Sequence, residues 1–166
     1  MFEARLAERL RGLAVGLPGD RLTKLTEYFE LLRRWSLKVN LTGFDLEDPT
    51  DEAIDRLFVE PVIASRYLSG TSALVDVGSG AGSPAIPVTL MLDDVELTML
   101  EPRLKKSTFL REAVRSLGIR GAVLTSRVED AARDHGLLER FDSATIRAVR
   151  LDGTVLRSVA DLLRSG

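Results

Sequence analysis

A glycine-rich turn placed directly after a short apolar run constrains this chain more than any other feature. Residues 73–77 (Ala-Leu-Val-Asp-Val) have the pattern of a buried strand, and residues 78–82 (Gly-Ser-Gly-Ala-Gly) follow at once. Glycines at such a point allow a tight turn and let a ligand lie against bare backbone. The dinucleotide fingerprint requires Gly-x-Gly-x-x-Gly, but here Ser83 stands at its sixth place. The loop therefore favours a ligand without a pyrophosphate, and a turn without any ligand is the alternative on this motif alone.

Apolar side chains before residue 70 recur at helical spacing and predict a helical segment. We expect Asp20 to cap the second helix, a further helix to begin after residues 48–50, and another to run from Glu60 to Tyr67. The two predicted apolar stripes are Phe2, Leu6, Leu10 and Leu13, and then Leu22, Leu25, Phe29, Leu32 and Trp35.

From Thr71 onward, strand patterns alternate with helix patterns. The helix that begins at Pro84 should be short or irregular because Pro87 interrupts it, and Gly118 should end the helix over 104–117. The predicted strands are 73–77, 95–100, 122–124 and 144–146, and the last predicted helix is 152–163. The side chains expected to point inward are Leu104, Thr108, Leu110 or Ala113, and Leu117 in the helix over 104–117, and Val155, Leu156, Val159 and Leu163 in the last helix.

This alternation predicts an α/β fold, a Rossmann-like parallel sheet with flanking helices and right-handed crossovers. We divide the chain into an N-terminal helical segment over residues 1–70 and a Rossmann-like domain over 71–166. Ligands of such sheets bind outside the carboxyl ends of the strands. Four strands would leave a parallel edge exposed, so we expect the C-terminal strands of the domain to be missing from this chain.

Composition narrows the class of protein. Apolar residues make up 45% and charged residues 29% of the 166 residues, the balance of a soluble globular protein. The chain lacks cysteine, and no run approaches 18 apolar residues, so we expect a cytoplasmic protein with no membrane span. The net charge is −2, yet residues 103–120 carry six basic side chains against Glu112 alone. That block indicates either a solvated helix face or a surface that meets phosphates.

Four polar signals lie where the predicted strands end. Asp76 lies beneath the loop and could accept from an ammonium group, and Glu101 follows the second strand, where a carboxylate can accept from both ribose hydroxyls. Residues 126–129 (Ser-Arg-Val-Glu) follow the third strand, where Val128 could pack on an adenine ring, and Arg147 follows the fourth. S-adenosylmethionine, which carries an amino acid, a sulfonium and an adenosine but no pyrophosphate, fits this set. Surface roles are the alternative for each residue taken alone.

Other chemistries find little support in the chain. His135 is the single histidine and lies in a polar stretch, which argues against Ser-His-Asp catalysis. The His-Glu-x-x-His zinc motif does not occur, so no metal is expected.

In order and spacing, these segments resemble the RsmG (GidB) family, the guanine-N7 methyltransferases of small-subunit ribosomal RNA. The resemblance covers most of the chain. The matching segments are 35–42 (Trp-Ser-Leu-Lys-Val-Asn-Leu-Thr), 76–87 with its pair Pro84 and Pro87, Leu100-Glu101 followed by Lys105-Lys106 and Phe109-Leu110, 126–129, and Phe141-Asp142 to Arg147-Ala148.

The resemblance implies methyl transfer from S-adenosylmethionine to N7 of a guanine in 16S ribosomal RNA or the small ribosomal subunit. The predicted cofactor-binding residues are Asp76, Gly78, Ser79, Gly80, Gly82, Ser83, Glu101, Val128, Glu129 and Arg147. The predicted RNA-side residues are Asn40, Thr42, Lys105, Lys106 and Arg127. No catalytic residue is assigned, because guanine N7 carries an exposed lone pair and loses no proton when it is methylated.

The chain also departs from the family pattern. Ser83 replaces an apolar or aromatic residue, Ala85 replaces a glycine, and Arg56-Leu57 stands where the family has Arg-His. A degenerate relative that binds cofactor or RNA without transfer is therefore one alternative. A nicotinamide-dependent oxidoreductase is another, although the glycine spacing disfavours it.

Overall fold

The computed structural model describes residues 1–165. Four parallel strands form one sheet: β1 (Ala73–Val77), β2 (Glu96–Leu100), β3 (Gly121–Leu124) and β4 (Ser143–Ile146). Their order across the sheet is β3-β2-β1-β4. The predicted parallel α/β sheet is thus confirmed, and each strand lies within one residue of its predicted limits.

The register brings the four carboxyl ends to one edge. Val77 pairs with Leu100 and with Ile146, and Leu100 pairs with Leu124. Strands β2 and β3 lie on one side of β1, and β4 lies on the other side. The strand order therefore reverses between β1 and β4. In open α/β sheets the ligand crevice forms outside the carboxyl ends at such a point.

The helices before the sheet follow the predicted segment. Their bounds are α1 (Phe2–Gly12), α2 (Gly19–Ser36), α3 (Asp51–Ile54), a π-helical turn (Asp55–Val59), α4 (Glu60–Ala64) and a 3₁₀ turn (Ser65–Leu68). The Asp20 cap is wrong, because α2 begins at Gly19 and its N-cap position falls on Pro18, without a capping side chain. The hydroxyl of Thr50 does cap α3, accepting from the Ala53 amide at 3.2 Å.

The helices that alternate with the strands are α5 (Ala85–Met91), α6 (Leu104–Leu117), α7 (Val128–Ala131) and α8 (Gly153–Leu162). The bounds of α6 match the prediction, and Gly118 ends it in the left-handed conformation with φ 68°. Helix α5 is only 7 residues long, as Pro87 led us to expect. The carboxylate of Asp152 caps α8 by accepting from the amides of Thr154 and Val155 at 2.9 and 3.0 Å.

Two predictions of inward side chains in each of α6 and α8 need correction. Leu104 is 68% exposed, and Thr108 is exposed too, because the buried stripe of α6 starts at Ser107 and continues through Leu110. Leu156 is 53% exposed, and Leu163 is only partly buried. The buried stripe of α8 is Val155, Val159 and Leu162, whose phase is set by packing on α7 and on the sheet.

Hydrophobic side chains cover both faces of the sheet. Leu74 belongs to a cluster with side chains of α1, α2, α5 and α6 on one face, whereas Val75 and Val77 belong to a cluster with side chains of α7 and α8 on the other. This two-sided burial explains why β1 is apolar at nearly every position. The first cluster runs from Leu6 to Val123, so the N-terminal helices and the sheet share one core.

Aromatic stacking and ion pairs fix α1 on the π-helical turn. The ring of Phe2 stacks on Phe29 with centroids 3.9 Å apart and meets Phe58 edge-on at 4.8 Å. Arg9 forms an ion pair with Asp55. In the part of the chain that the structure describes, no helix has both the length and the apolar character that a membrane crossing requires.

Candidate functional site

A cleft of about 820 Å³ opens where the four strands end. Its volume lies within the range of small-molecule sites. Its walls come from the loop before α3, the π-helical turn, the glycine loop and the segments that follow β2, β3 and β4. Lining residues include Leu41, Thr42, Phe44, Arg56, Leu57, Gly78, Ser79, Gly80, Ala81, Ser83, Glu101, Arg103, Lys106, Ser126, Arg127, Val128, Glu129, Arg147, Val149 and Arg150.

The glycine loop presents bare backbone to this cleft. Gly78 has φ 71°, and a Cβ placed there would lie 2.4 Å from Val149 Cγ2. Gly80 lines the cleft with φ 54°, and the nearest atom to a Cβ there would be the Gly78 carbonyl oxygen at 3.7 Å, an ordinary van der Waals contact. The Gly78 amide donates to the Leu100 carbonyl at 2.9 Å, which ties the loop to the end of β2.

Glu101 joins the tip of β2 to the same loop. Its carboxylate is buried and accepts from the Gly80 amide at 2.8 Å through Oε2 and from the Arg103 amide at 2.9 Å through Oε1. Each carboxylate oxygen has a second lone pair for a further donor. The two strand tips therefore lie side by side, with an acid fixed between them.

Asp76 lies beneath the loop as a buried acid. Its Oδ1 accepts from the Thr145 hydroxyl at 2.6 Å, while its Oδ2 has no hydrogen-bond partner within residues 1–165. Burial raises the pKa of the Asp76 carboxyl, against the lowering effect of the hydroxyls of Ser79 and Thr145. Its side chain does not line the cleft.

Side chains from both halves of the chain anchor the glycine loop. The buried Tyr28 hydroxyl donates to the Ala81 carbonyl at 2.6 Å, across 53 residues. The Ser83 hydroxyl donates to the Leu57 carbonyl at 2.8 Å. Arg147 donates to the Ser83 carbonyl at 2.8 Å and also to the Arg56 carbonyl. The loop is thus held against α2 and the π-helical turn.

Burial also alters the electrostatics of Arg147. Desolvation lowers the pKa of this guanidinium, and the nearby Tyr28, Glu60 and Asp76 act in the opposite direction. The guanidinium of Arg147 donates to the carbonyls of Arg56 and Ser83, and it therefore connects the π-helical turn to the glycine loop.

The structure brings most of the sequence-predicted residues to the cleft. Eight of the predicted cofactor residues line it: Gly78, Ser79, Gly80, Ser83, Glu101, Val128, Glu129 and Arg147. Asp76 and Gly82 do not, since Asp76 lies below the loop and a Cβ at Gly82 would point toward Ile86 and Leu110 in the core. Of the predicted RNA-side residues, Thr42, Lys106 and Arg127 line the cleft, whereas Asn40 and Lys105 are exposed outside it.

Several wall residues were missed by the sequence reading. Phe44, Arg103 and Arg150 line the cleft, and Tyr28 reaches its loop from the core. Arg103 and Arg150 follow the predicted strand ends within four residues, so their position was a usable signal. Tyr28 gave none, because its partner lies far away in the chain.

The cleft combines polar and apolar groups. Within residues 1–165, no group of three or more His, Cys, Asp or Glu side chains is placed to hold a metal ion. The arrangement can hold an amphipathic nucleoside through bare amides, an acid and an apolar wall. It offers no histidine general base, because His135 does not line it.

The chain is similar in sequence to a family of known proteins. The family model GidB, described as rRNA small subunit methyltransferase G, matches residues 21–166. The protein named ribosomal RNA small subunit methyltransferase G from Clostridium perfringens strain 13 is 38% identical over 133 residues, 78% of this chain and 54% of that protein. The one of the same name from Desulfitobacterium hafniense is 34% identical over 155 residues, 93% and 63% of the two chains.

A solved structure supports the fold. The O-methyltransferase from Bacillus cereus, determined in complex with SAH, superposes with a TM-score of 0.68 at 15% identity and covers 100% of this chain and 72% of its own. Against the two sequence relatives above, this chain spans little more than half to about three fifths of their length.

Proposed function

Because this chain belongs to the rRNA small subunit methyltransferase G family, we propose that it transfers a methyl group from S-adenosylmethionine to N7 of a guanine in small-subunit (16S) ribosomal RNA. The observation that carries the proposal is the bare backbone of Gly80, which lines the cleft beside the buried carboxylate of Glu101, at the tips of β1 and β2. The two relatives described above are named ribosomal RNA small subunit methyltransferase G. The cytoplasm, where that RNA resides, is the proposed location.

The residues at the strand tips fit S-adenosylmethionine. A Cβ at Gly80 would meet nothing closer than the Gly78 carbonyl oxygen at 3.7 Å, so this uncrowded backbone lets a ligand approach the loop amides directly. Glu101 retains lone pairs for ribose hydroxyls, and Val128 offers a buried apolar side chain for the adenine. Asp76 Oδ2, buried and unpaired within the described chain, could accept from an ammonium group through a water molecule.

The cofactor, when bound, supplies a methyl group on a positively charged sulfur. The work left to the protein is alignment, since guanine N7 attacks with its own lone pair. Holding N7 in line with the methyl carbon can contribute several kcal/mol, up to about 7–11 in the best cases. This explains how a cleft without a histidine base can support the reaction.

We assign the RNA to the side of the cleft formed by Thr42, Lys106 and Arg127, with Asn40 and Lys105 outside it. The Lys106 ammonium lies 3.5 Å from the Leu41 carbonyl, so it bridges α6 and the loop that carries Thr42. The guanine would enter between that loop and the strand ends.

The test separates cofactor binding from transfer. Calorimetry with S-adenosylmethionine is run on the wild-type chain, on Gly78→Asp and on the matched control Gly16→Asp, at a residue that does not line the cleft and has nothing within 4 Å of its Cβ position. Small ribosomal subunits that lack the modification then receive labelled methyl, and mass spectrometry of nucleosides identifies N7-methylguanosine.

We expect binding and transfer by wild type and by Gly16→Asp, and neither by Gly78→Asp. A wild-type chain that does not bind the cofactor would refute the site. Binding without incorporation of label would refute the transfer and leave a cofactor-binding module.

A further inference from the structure

Three arginines follow the strand ends at nearly the same offset. Arg103 comes three residues after the end of β2, Arg127 three residues after the end of β3, and Arg150 four residues after the end of β4. All three line the cleft and are exposed. Because the register aligns the strand ends, they border the mouth of the cleft on one edge of the sheet.

These arginines lack the partners that most other arginines of this chain have. Arg5, Arg9, Arg33 and Arg140, for example, form ion pairs. Within residues 1–165, the guanidinium groups of Arg103, Arg127 and Arg150 make neither a hydrogen bond nor an ion pair.

Among the described residues, two of the three acids that line the cleft accept hydrogen bonds from backbone amides. Glu101 accepts from the amides of Gly80 and Arg103, and Asp152 accepts from the amides of Thr154 and Val155. Glu129 is the third. Three guanidinium groups thus remain for an anion from outside the chain.

We propose that Arg103, Arg127 and Arg150 bind the phosphates of a single-stranded RNA segment on either side of the guanine that enters the cleft. The proposal rests on the function proposed above. We name these three residues the mouth arginines. Arginine suits the role because its planar fork binds phosphate oxygens bidentately.

Sheet geometry sets the reach of the mouth arginines. Neighbouring strands lie about 4.8 Å apart, so the outer strands β3 and β4 are about 14 Å apart. A row of that length spans the backbone of a few nucleotides. In an RNA duplex the bases are stacked and the major groove is deep and narrow. The cleft therefore suits a nucleotide that is splayed out of the stack.

The test compares two triple variants of equal charge. The mouth variant is Arg103→Gln/Arg127→Gln/Arg150→Gln. The control is Arg11→Gln/Arg34→Gln/Arg115→Gln, whose arginines are also exposed and without partners within residues 1–165, and lie outside the cleft. The binding of a labelled single-stranded RNA is titrated at several salt concentrations, and calorimetry measures the S-adenosylmethionine affinity of each variant.

The mouth variant should bind RNA about 100-fold more weakly near 0.1 M salt, since each lost phosphate contact costs about fivefold there. Its plot of log affinity against log salt should lose about 2 units of slope, at about 0.7 for each charge on a single strand. The control should change little, and both should keep the wild-type affinity for S-adenosylmethionine.

Equal RNA losses in the two variants would overturn the proposal, because net charge alone would then explain them. Loss of cofactor affinity in the mouth variant would overturn it too, by assigning these side chains to the cofactor. A wild-type chain that binds S-adenosylmethionine but no RNA refutes this inference alone, whereas failure to bind S-adenosylmethionine refutes the proposed function.

Discussion

Replacing Tyr28 by phenylalanine removes one oxygen atom from a side chain that lies wholly in the core, and with it a bond to the glycine loop. The Tyr28 hydroxyl donates to the Ala81 carbonyl at 2.6 Å, and Tyr28 is 0% exposed. Burial raises the pKa of this hydroxyl far above its usual range, so it stays a donor at every pH at which the protein is assayed. The ring and its packing on Phe58 are kept by the substitution.

The cost of the change follows from the carbonyl left behind. A buried acceptor that loses its partner costs about 1–3 kcal/mol. For a chain of this size, each kcal/mol lowers Tm by about 2–4 °C. Ala81 lines the cleft, so the loop itself loses the restraint and a smaller fraction of molecules is competent to bind. We expect the affinity for S-adenosylmethionine to fall about tenfold, which corresponds to about 1.4 kcal/mol.

Two control variants separate this effect from general loss of stability. Phe29→Leu disturbs the same aromatic cluster, which also contains Phe2, and leaves the hydrogen bond from Tyr28 to the loop in place. Tyr67→Phe removes a hydroxyl from a side chain that is 86% exposed. Thermal unfolding and calorimetry are measured on all three variants. The reasoning is refuted if Tyr28→Phe and Phe29→Leu lose similar stability and both keep the wild-type affinity for S-adenosylmethionine.

Three further predictions concern the strand tips and the opposite end of the sheet. Asp76→Asn should weaken S-adenosylmethionine binding yet leave the protein as stable or more stable at neutral pH, because burial raises the pKa of this carboxyl and its charge therefore costs folding energy. Calorimetry measures the affinity and thermal unfolding measures the stability, and a variant that loses stability at neutral pH would contradict the prediction. Gly78→Ala should lose cofactor affinity because a Cβ there would lie 2.4 Å from Val149, and Gly78→Ala/Val149→Ala should recover part of it; a double variant no better than the single one would count against that contact. Asp142 accepts from the hydroxyl and amide of Ser72 and from the amide of Ala73, which lower its pKa to about 2, so its contribution to stability is complete above pH 4 and is lost as the pH falls toward 2. Acid unfolding of Asp142→Asn, compared with wild type, should lack that loss, and parallel curves would argue against it.

The sheet and its main helix could be predicted because their signals are local. A short run that is apolar at every position except Asp76 defines β1, and Gly118 ends α6 at a position that favours the left-handed conformation. The phase of a helix is a different matter. Leu104 and Leu156 are apolar and lie on plausible stripes, yet neighbouring elements rotate them toward solvent. Successive side chains of a helix point about 100° apart. An error of one residue in the predicted phase therefore assigns an exposed leucine to the buried face.

The candidate site divides in the same way. Residues directly after strand ends, such as Glu101 and Arg147, were found because parallel strands end at one edge. The sequence did not indicate that Glu101 would accept from the Gly80 amide, or that Arg147 would brace two backbone carbonyls. Such bonds depend on how distant segments meet, which no local pattern encodes.

The anchoring of the glycine loop links the candidate site to segments before and after the loop. Tyr28 from α2, the Leu57 carbonyl of the π-helical turn and Arg147 after β4 all bond to residues 81–83. The helices before residue 70 also share one hydrophobic cluster with the sheet. A fragment that begins at residue 71 would therefore expose one face of the sheet and would lack two of the three anchors, Tyr28 and Leu57. The N-terminal helical segment thus supports the candidate site through the loop it holds as well as through the residues it adds to the cleft wall.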